Sequence, residues 1–174
     1  HMETRLRDEI HQREIAEQRR KALEQALAAP LAEGRITLVD GRIGIRGSVL
    51  FALNSDELQP EGREVLGTLA GPLGEYLRAR DEILMVSGFT DDRGIHGDNL
   101  HFADNWELSA QRALTVTRAL IEAGIPSSSV FAAAFGAEQP VASNDDSEGR
   151  ARNRRVEMAP VPRNRASGGN GRGG

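Results

Sequence analysis

The chain has 174 residues and no cysteine. That excludes disulfides, thiol nucleophiles and thiolate metal sites. It does not decide the compartment, since a secreted or periplasmic protein need not carry disulfides. Aromatic residues make up only 4% of the chain, so a core has to be built from Leu, Val, Ile and Ala. No apolar run reaches the length of a membrane span, and no signal peptide is visible. There is no basic excess: the net charge is −4, and nothing points to nucleic acid. Motifs of nucleophilic catalysis (Ser-x-x-Lys, Gly-x-Ser-x-Gly, a Cys/His arrangement) are missing. The carboxylate pairs Asp91-Asp92 and Asp145-Asp146 are adjacent in the chain, so they diverge instead of facing one substrate. The reading is a binding protein, not an enzyme, with no cofactor.

What is present supports one domain with appendages. Hydrophobic residues reach 39%, enough for one ordinary core. Glu3 to Ala29 is dense in Glu, Arg, Lys, Gln and Ala, which favour helix. Its apolar positions Leu6, Ile10, Ile15, Leu23 and Leu27 keep no clean heptad. A solvated connector and a parallel coiled coil in a dimer both remain open, and Pro30 is predicted to end the helix. Ile36 to Val39, Asp40-Gly41 and Arg42 to Ile45 read as a hairpin with a tight turn. Ser48 to Leu53 reads as a further apolar strand. Pro60 opens a helix with Val65, Leu66, Leu69, Leu73 and Leu77 on one face, which Pro72 should kink or break. Val130 to Phe135 and Arg154 to Met158 are predicted strands, with one helical turn at Ser147 to Ala151 between them. The expected division is a charged helix and linker over 1–34, a domain over 35–160, and a disordered Gly/Arg-rich tail over 161–174. Helices alternating with strands, after a hairpin, imply a two-layer α+β domain: a mixed sheet with two helices on one face.

The stretch from Gly88 to Ala113 organises the rest. Ile83 to Val86 reads as a buried strand ending at Gly88. A polar loop with Thr90, Asp91 and Asp92 follows. An amphipathic helix then runs from about Asn105 to Ala123, opened by the capping-box spacing of Asp104 and Glu107 and stopped by Gly124 and Pro126. Asp91 therefore leaves the end of a strand, and Arg112 sits two turns into the next helix. Such a pair suits a ligand carrying an ammonium and a carboxylate: Asp91 as anionic acceptor, Arg112 as a planar fork of donors. The helix N-terminus near Asn105 also favours a carboxylate. Asn105 reads equally as a cap or a ligand contact. Trp106 reads either as a ligand platform or as a core residue; it falls with Ala110, Ala113, Thr117 and Leu120 on the apolar helix face, which favours the core.

Thr90-Asp91, Asn105-x-x-Leu108-Ser109-x-x-Arg112-Ala113, Gly136-x-x-x-Pro140 and Gly149-Arg150-x-x-Asn153-Arg154-Arg155-Val156-Glu157 resemble the signature of OmpA-like peptidoglycan-binding domains. The match covers about Ser48 to Met158. Thr90-Asp91-Asp92 with Asn105-Trp106-Glu107-Leu108-Ser109 is most similar to the MotB branch, the stator proteins of flagellar and other ion-driven motors. The resemblance implies the OmpA-like β-α-β-α-β core and, as ligand, peptidoglycan held by its diaminopimelate residue. Asp91 and Arg112 would bind it, with Thr90, Asn105, Leu108 and Phe51 flanking and with Arg155 and Asp92 in support. Arg154 and Arg155 either brace the carboxylates around the site or point to solvent, with bracing favoured. The resemblance further implies a homodimer and a MotA-like channel subunit, reached through an inner-membrane helix upstream of His1-Met2, which reads as a cloning remnant. The domain would be periplasmic, anchoring the motor to the cell wall. Two alternatives stand beside this: an outer-membrane-associated cell-wall tether, and a MotB-like subunit of a non-flagellar machine.

This chain departs from the pattern at two places. The loop from Asp91 to Asn105 is longer than in the shortest OmpA-like domains and carries His96, Asp98 and His101; long loops here fit the MotB branch. Position 52 is Ala, where many relatives outside that branch have Asp or Asn, so one polar contact to the peptide is missing. His96, Asp98, His101 and Asp104 would be the donors of a metal-dependent hydrolase, but their spacing matches no helix-borne metal pair, and no metal is predicted.

Overall fold

The computed structural model describes residues 2–52, 55–95 and 101–163. The chain opens with two helices, α1 (Met2–Ala26) and α2 (Ala28–Ala32). Pro30 does not stop the helix as predicted. It lies inside α2, and the break falls at Leu27. The proline ring collides with the carbonyl four residues back, which is that of Ala26, the last residue of α1. Most of α1 is exposed, but Leu23 and Leu27 are buried in the domain core. The Tyr76 hydroxyl donates to the Arg19 carbonyl at 3.4 Å.

The hairpin follows as β1 (Thr37–Val39) and β2 (Arg42–Arg46). Asp40 and Gly41 both have positive φ, 52° and 77°, the tight turn whose twist matches its strands. Over its described residues Ser48 to Leu53 is not a strand: Gly47–Leu50 forms a short helix, α3, and Leu53 lies outside the described residues. An apolar run of this length fits a buried helical turn as well as a strand. Tertiary contact decides here, because the Gly47 amide donates to the Arg154 carbonyl at 2.7 Å. Among the described residues of this run, only Phe51 keeps an extended pairing, a bridge to Leu58. The side chain of Gln59 straps this segment down, donating to the carbonyls of Ser48 and Phe51 at 2.8 and 3.0 Å.

Helix α4 (Pro60–Arg80) starts at Pro60 and runs unbroken through Pro72. Val65, Leu66, Leu69, Leu73 and Leu77 are all buried, and burial of each such side chain is worth about 1.5–3 kcal/mol. That packing holds the helix together across the one hydrogen bond Pro72 cannot donate. Strand β3 (Glu82–Phe89), helix α5 (Asn105–Glu122), a 3₁₀ turn at Ser127–Ser129, strand β4 (Val130–Gly136), helix α6 (Ser147–Asn153) and strand β5 (Arg155–Pro162) complete the domain. Helix α5 ends in a Schellman arrangement: the amide of Ile125 donates to Leu120 and that of Gly124 to Ile121, both at 3.0 Å, with Gly124 at φ 121°.

The sheet order is β1-β2-β5-β3-β4. Only β3 and β4 are parallel; the other pairs are antiparallel. This is the mixed sheet and α+β class the sequence predicts. Ile43, Ile45, Leu84, Val86, Val156 and Met158 carry the sheet's side of a core completed by α4 and α5. The tail expected over 161–174 does not begin at 161: Val161 and Pro162 belong to β5, paired with β3, and residues 164–174 lie outside the described residues.

Candidate functional site: a charged cleft at the end of β3

The register of β3 against β4 shifts at Gly88/Phe89, so that Phe89 pairs with Gly136. Beyond the shift the chain turns into the polar loop. The amide of Thr90 donates to the Gly136 carbonyl, and its hydroxyl to the Asp91 carbonyl, each at 2.8 Å. Asp91 Oδ1 accepts from the amide of Arg93 at 3.0 Å, an Asx turn that fixes the carboxylate's orientation. Asn105 Nδ2 donates to the carbonyls of Asp91 and Arg93 at 3.3 and 3.0 Å. Asn105 therefore pins this loop to the first turn of α5. The cap of that helix is Asp104, whose Oδ1 accepts from the Glu107 amide at 2.9 Å.

Close contact brings α5 up to the strand end. A Cβ on Gly88 would run into the carbonyl of Ser109, so only glycine lets the helix seat here. Ser109 is buried; its hydroxyl donates to the Trp106 carbonyl at 2.9 Å and accepts from the Gly136 amide at 3.0 Å. With α5 so placed, Arg112 points into the cleft, only 6% exposed. Its Nε donates to the Ser55 carbonyl at 3.0 Å, and its guanidinium carbon lies 5.1 Å from the centre of the Phe51 ring. Both contacts leave the terminal nitrogens for a ligand. Burial, and then the nearby charge of Arg154, push the Arg112 pKa down to about 10, against the opposing pull of Asp56 and Asp91.

Arg154 Nη1 meets Asp91 Oδ2 at 2.6 Å. It arrives from the end of α6, a helix capped by Asp146, whose Oδ1 accepts from the Gly149 amide at 2.6 Å. The loop before that helix is held by Asn153, which is fully buried. Its Oδ1 accepts from the amides of Val141 and Ala142, and its Nδ2 donates to the Ala142 carbonyl and to Asn144 Oδ1, all at 2.8 to 3.0 Å.

The result is a cleft of about 550 Å³. Asp91, Arg112, Thr90, Asn105, Leu108 and Phe51, predicted from the sequence as ligand residues, all line it, as does Ala52. The two supporting positions do not. Asp92 is exposed and is not among the lining residues. Arg155 lies on the other side of the sheet: its Nε meets Glu157 Oε2 at 2.6 Å and its guanidinium carbon stands 3.7 Å over the Phe89 ring. Neighbouring residues entering a strand point to opposite faces, so only one of Arg154 and Arg155 can reach Asp91, and it is Arg154. Arg93, which the sequence offers only as a residue shaping the loop, also lines the cleft, as do Ile95, Gln59 and Ser48, which nothing in their spacing marks. Trp106 is not in the core. It is 51% exposed: it lies in the first turn of α5 with its ring against Gly136 at the end of β4, whereas Ala113 and Thr117 further along the same side of the helix are buried. His96 and Asp98 lie outside the described residues, and Asp104 is engaged as the helix cap.

The lining residues place three guanidiniums, Arg93, Arg112 and Arg154, against the one carboxylate of Asp91. Such a site favours an anionic ligand. Arg154 and the Arg93 amide each occupy one acceptor position of Asp91. An ionised carboxylate offers about four such positions, so Asp91 keeps acceptor capacity for an ammonium.

Known proteins are similar to this chain. Peptidoglycan-binding protein ArfA of Mycobacterium tuberculosis is 35% identical over 112 residues, which are 64% of this chain and 32% of that protein. The chain spans between a third and somewhat over half of the length of the curated relatives it first matches. Among solved structures, a MotB-like protein from Desulfovibrio vulgaris superposes with a TM-score of 0.73 at 35% identity, covering 87% of this chain and 99% of that one. The cell wall anchor of the type VI secretion system from Pseudomonas aeruginosa gives a TM-score of 0.67 at 31% identity, covering 80% and 95%. The OmpA family model matches residues 50–154, from the short helix before Phe51 to the arginine that holds Asp91, and the chain belongs to the OmpA family.

Proposed function

We propose that the cleft binds peptidoglycan through the diaminopimelate residue of its stem peptide, and that the domain thereby anchors a larger assembly to the cell wall. The observation that carries this reading is the joint burial of Asp91 and Arg112, 8% and 6% exposed, in one cleft with a net positive lining. An ammonium beside a carboxylate, on a peptide with further carboxylates, matches that charge pattern. The free terminal nitrogens of Arg112 take the carboxylate as a bidentate pair, and Asp91 takes the ammonium. A relative named for peptidoglycan binding and a neighbour described as a cell wall anchor support the choice of polymer.

The assembly, on this reading, is an ion-driven stator: the domain is periplasmic, paired as a homodimer, and joined through an inner-membrane segment to a MotA-like channel subunit. The MotB-like neighbour favours it. The similarity to a secretion-system anchor favours a second reading, a MotB-like subunit of a non-flagellar machine. None of the described helices is long and apolar enough to cross a membrane.

Co-sedimentation with purified sacculi tests the site. Wild type should pellet with the wall, and folded Asp91→Asn and Arg112→Met variants should stay in solution. Equal pelleting of all three would reject the cleft as the binding site.

A further inference from the structure

We infer that Trp106 is a second subsite beside the cleft, a platform on which a pyranose ring of the glycan strand stacks while the stem peptide occupies the cleft. The inference rests on the peptidoglycan reading above and extends it from the peptide to the sugar.

Trp106 is half exposed, whereas Phe51, Tyr76, Phe89 and Phe102 are each 6% exposed or less. In a chain so poor in aromatics, the largest side chain is spent on the surface. Phe131 is exposed too, but it stands in β4 away from the cleft. The indole is also held. A Cβ on Gly136 would stand 3.2 Å from its Cδ2 and Cε3, so the six-membered ring rests on a backbone that only glycine keeps bare. Gly136 has φ 58°, a second reason for glycine there. Buried Ser109 ties the two positions together, donating to the Trp106 carbonyl and accepting from the Gly136 amide. One side of the ring is thus supported and the remainder faces outward.

The platform lies outside the lining of the cleft, one residue along α5 from it, and two links connect them. Asn105, the preceding residue, lines the cleft and holds its loop. Thr90, another lining residue, donates to the carbonyl of Gly136, the residue beneath the indole. Two and three residues beyond Gly136, Glu138 and Gln139 are exposed polar groups of the kind that pair with sugar hydroxyls. The chemistry fits a carbohydrate. One face of a pyranose presents C–H bonds polarised by ring and hydroxyl oxygens, and the aromatic face is the negative side of a quadrupole. In peptidoglycan the stem peptide hangs from the glycan, so a protein holding the peptide end meets a sugar nearby.

Trp106 is the single tryptophan of the chain, so intrinsic fluorescence reports this position alone. The experiment titrates wild type, Trp106→Ala and Trp106→Phe with two ligands: the disaccharide-tripeptide with diaminopimelate, and the same tripeptide without sugar. Calorimetry gives affinity and fluorescence gives the tryptophan response. The expected result is that the disaccharide ligand shifts the emission and the free peptide does not. Trp106→Ala should weaken the disaccharide ligand about 3- to 10-fold and leave the free peptide within twofold, with Trp106→Phe in between. Equal losses for both ligands would make Trp106 a packing residue of the cleft and overturn the inference. So would unchanged wild-type emission on binding the disaccharide ligand, an outcome that needs no variant to fold. If wild type binds neither ligand, the peptidoglycan reading itself fails, and the inference falls with it.

Discussion

Replacing Arg112 by methionine should make the domain more stable and abolish its hold on the wall. Arg112 is a buried cation whose pKa falls to about 10, chiefly through burial. At about 1.4 kcal/mol for each tenfold change, that fall from arginine's ordinary value amounts to roughly 3 kcal/mol against the charged form in the folded domain. Methionine removes this cost and still packs on the Phe51 ring. It loses the hydrogen bond from Nε to the Ser55 carbonyl, worth about 1–2 kcal/mol. The balance is a gain of about 1–2 kcal/mol, and each kcal/mol moves the melting temperature of a domain this size by roughly 2–4 °C. The sign with pH follows from linkage. A cation whose pKa is lowered by folding costs stability wherever it is charged in the folded state, at every pH below about 10. The cost is relieved as pH rises further, because the folded state then binds fewer protons than the unfolded one. The advantage of Arg112→Met should therefore be constant from pH 6 to 9 and shrink above pH 10. Differential scanning fluorimetry measures this, and calorimetry with the diaminopimelate tripeptide should show a loss of about 10- to 100-fold, the worth of a charge-assisted bidentate contact. A melting temperature lowered at neutral pH would refute the burial argument; retained affinity would refute the role given to Arg112.

Two further predictions concern the frame that holds the cleft. Gly88→Ala should destabilise the domain by more than about 2 kcal/mol, because the new methyl meets the Ser109 carbonyl. Amide exchange should accelerate at the start of α5, and unchanged exchange would mean the helix has room to shift. Asn153→Ala removes four hydrogen bonds from a fully buried side chain and leaves two amides without their acceptor. It should cost about 2–4 kcal/mol, measured by urea unfolding, and a cost below about 1 kcal/mol would show that the 140–146 loop does not depend on it.

Much of this protein is legible in its sequence, because short-range physics writes it there. The period of Val65, Leu66, Leu69, Leu73 and Leu77 marks a helix face, Asp104 with Glu107 marks a helix start, Gly124 and Pro126 mark its end, and Asp40-Gly41 marks a hairpin. Each depends on a few consecutive residues, so each can be read without the rest of the chain. That Asp91 and Arg112 meet in one cleft is legible for the same reason: a strand end, a loop and two helical turns define it. What tertiary structure alone decided depends on partners far along the chain. Ser48 to Leu50 coils as a helix because the Gly47 amide binds the carbonyl of Arg154. Pro72 stays inside a helix because a buried face holds both halves in place. Arg154 faces Asp91 and Arg155 turns away, a choice set by strand parity and register. Trp106 stays half exposed although Ala113 and Thr117 on the same side of α5 are buried, because it lies in the first turn of the helix, over Gly136 at the end of β4. A hydrophobic pattern determines which side of a helix can be buried, but only the contacts that seat the helix decide which residue at the edge of that side stays in water.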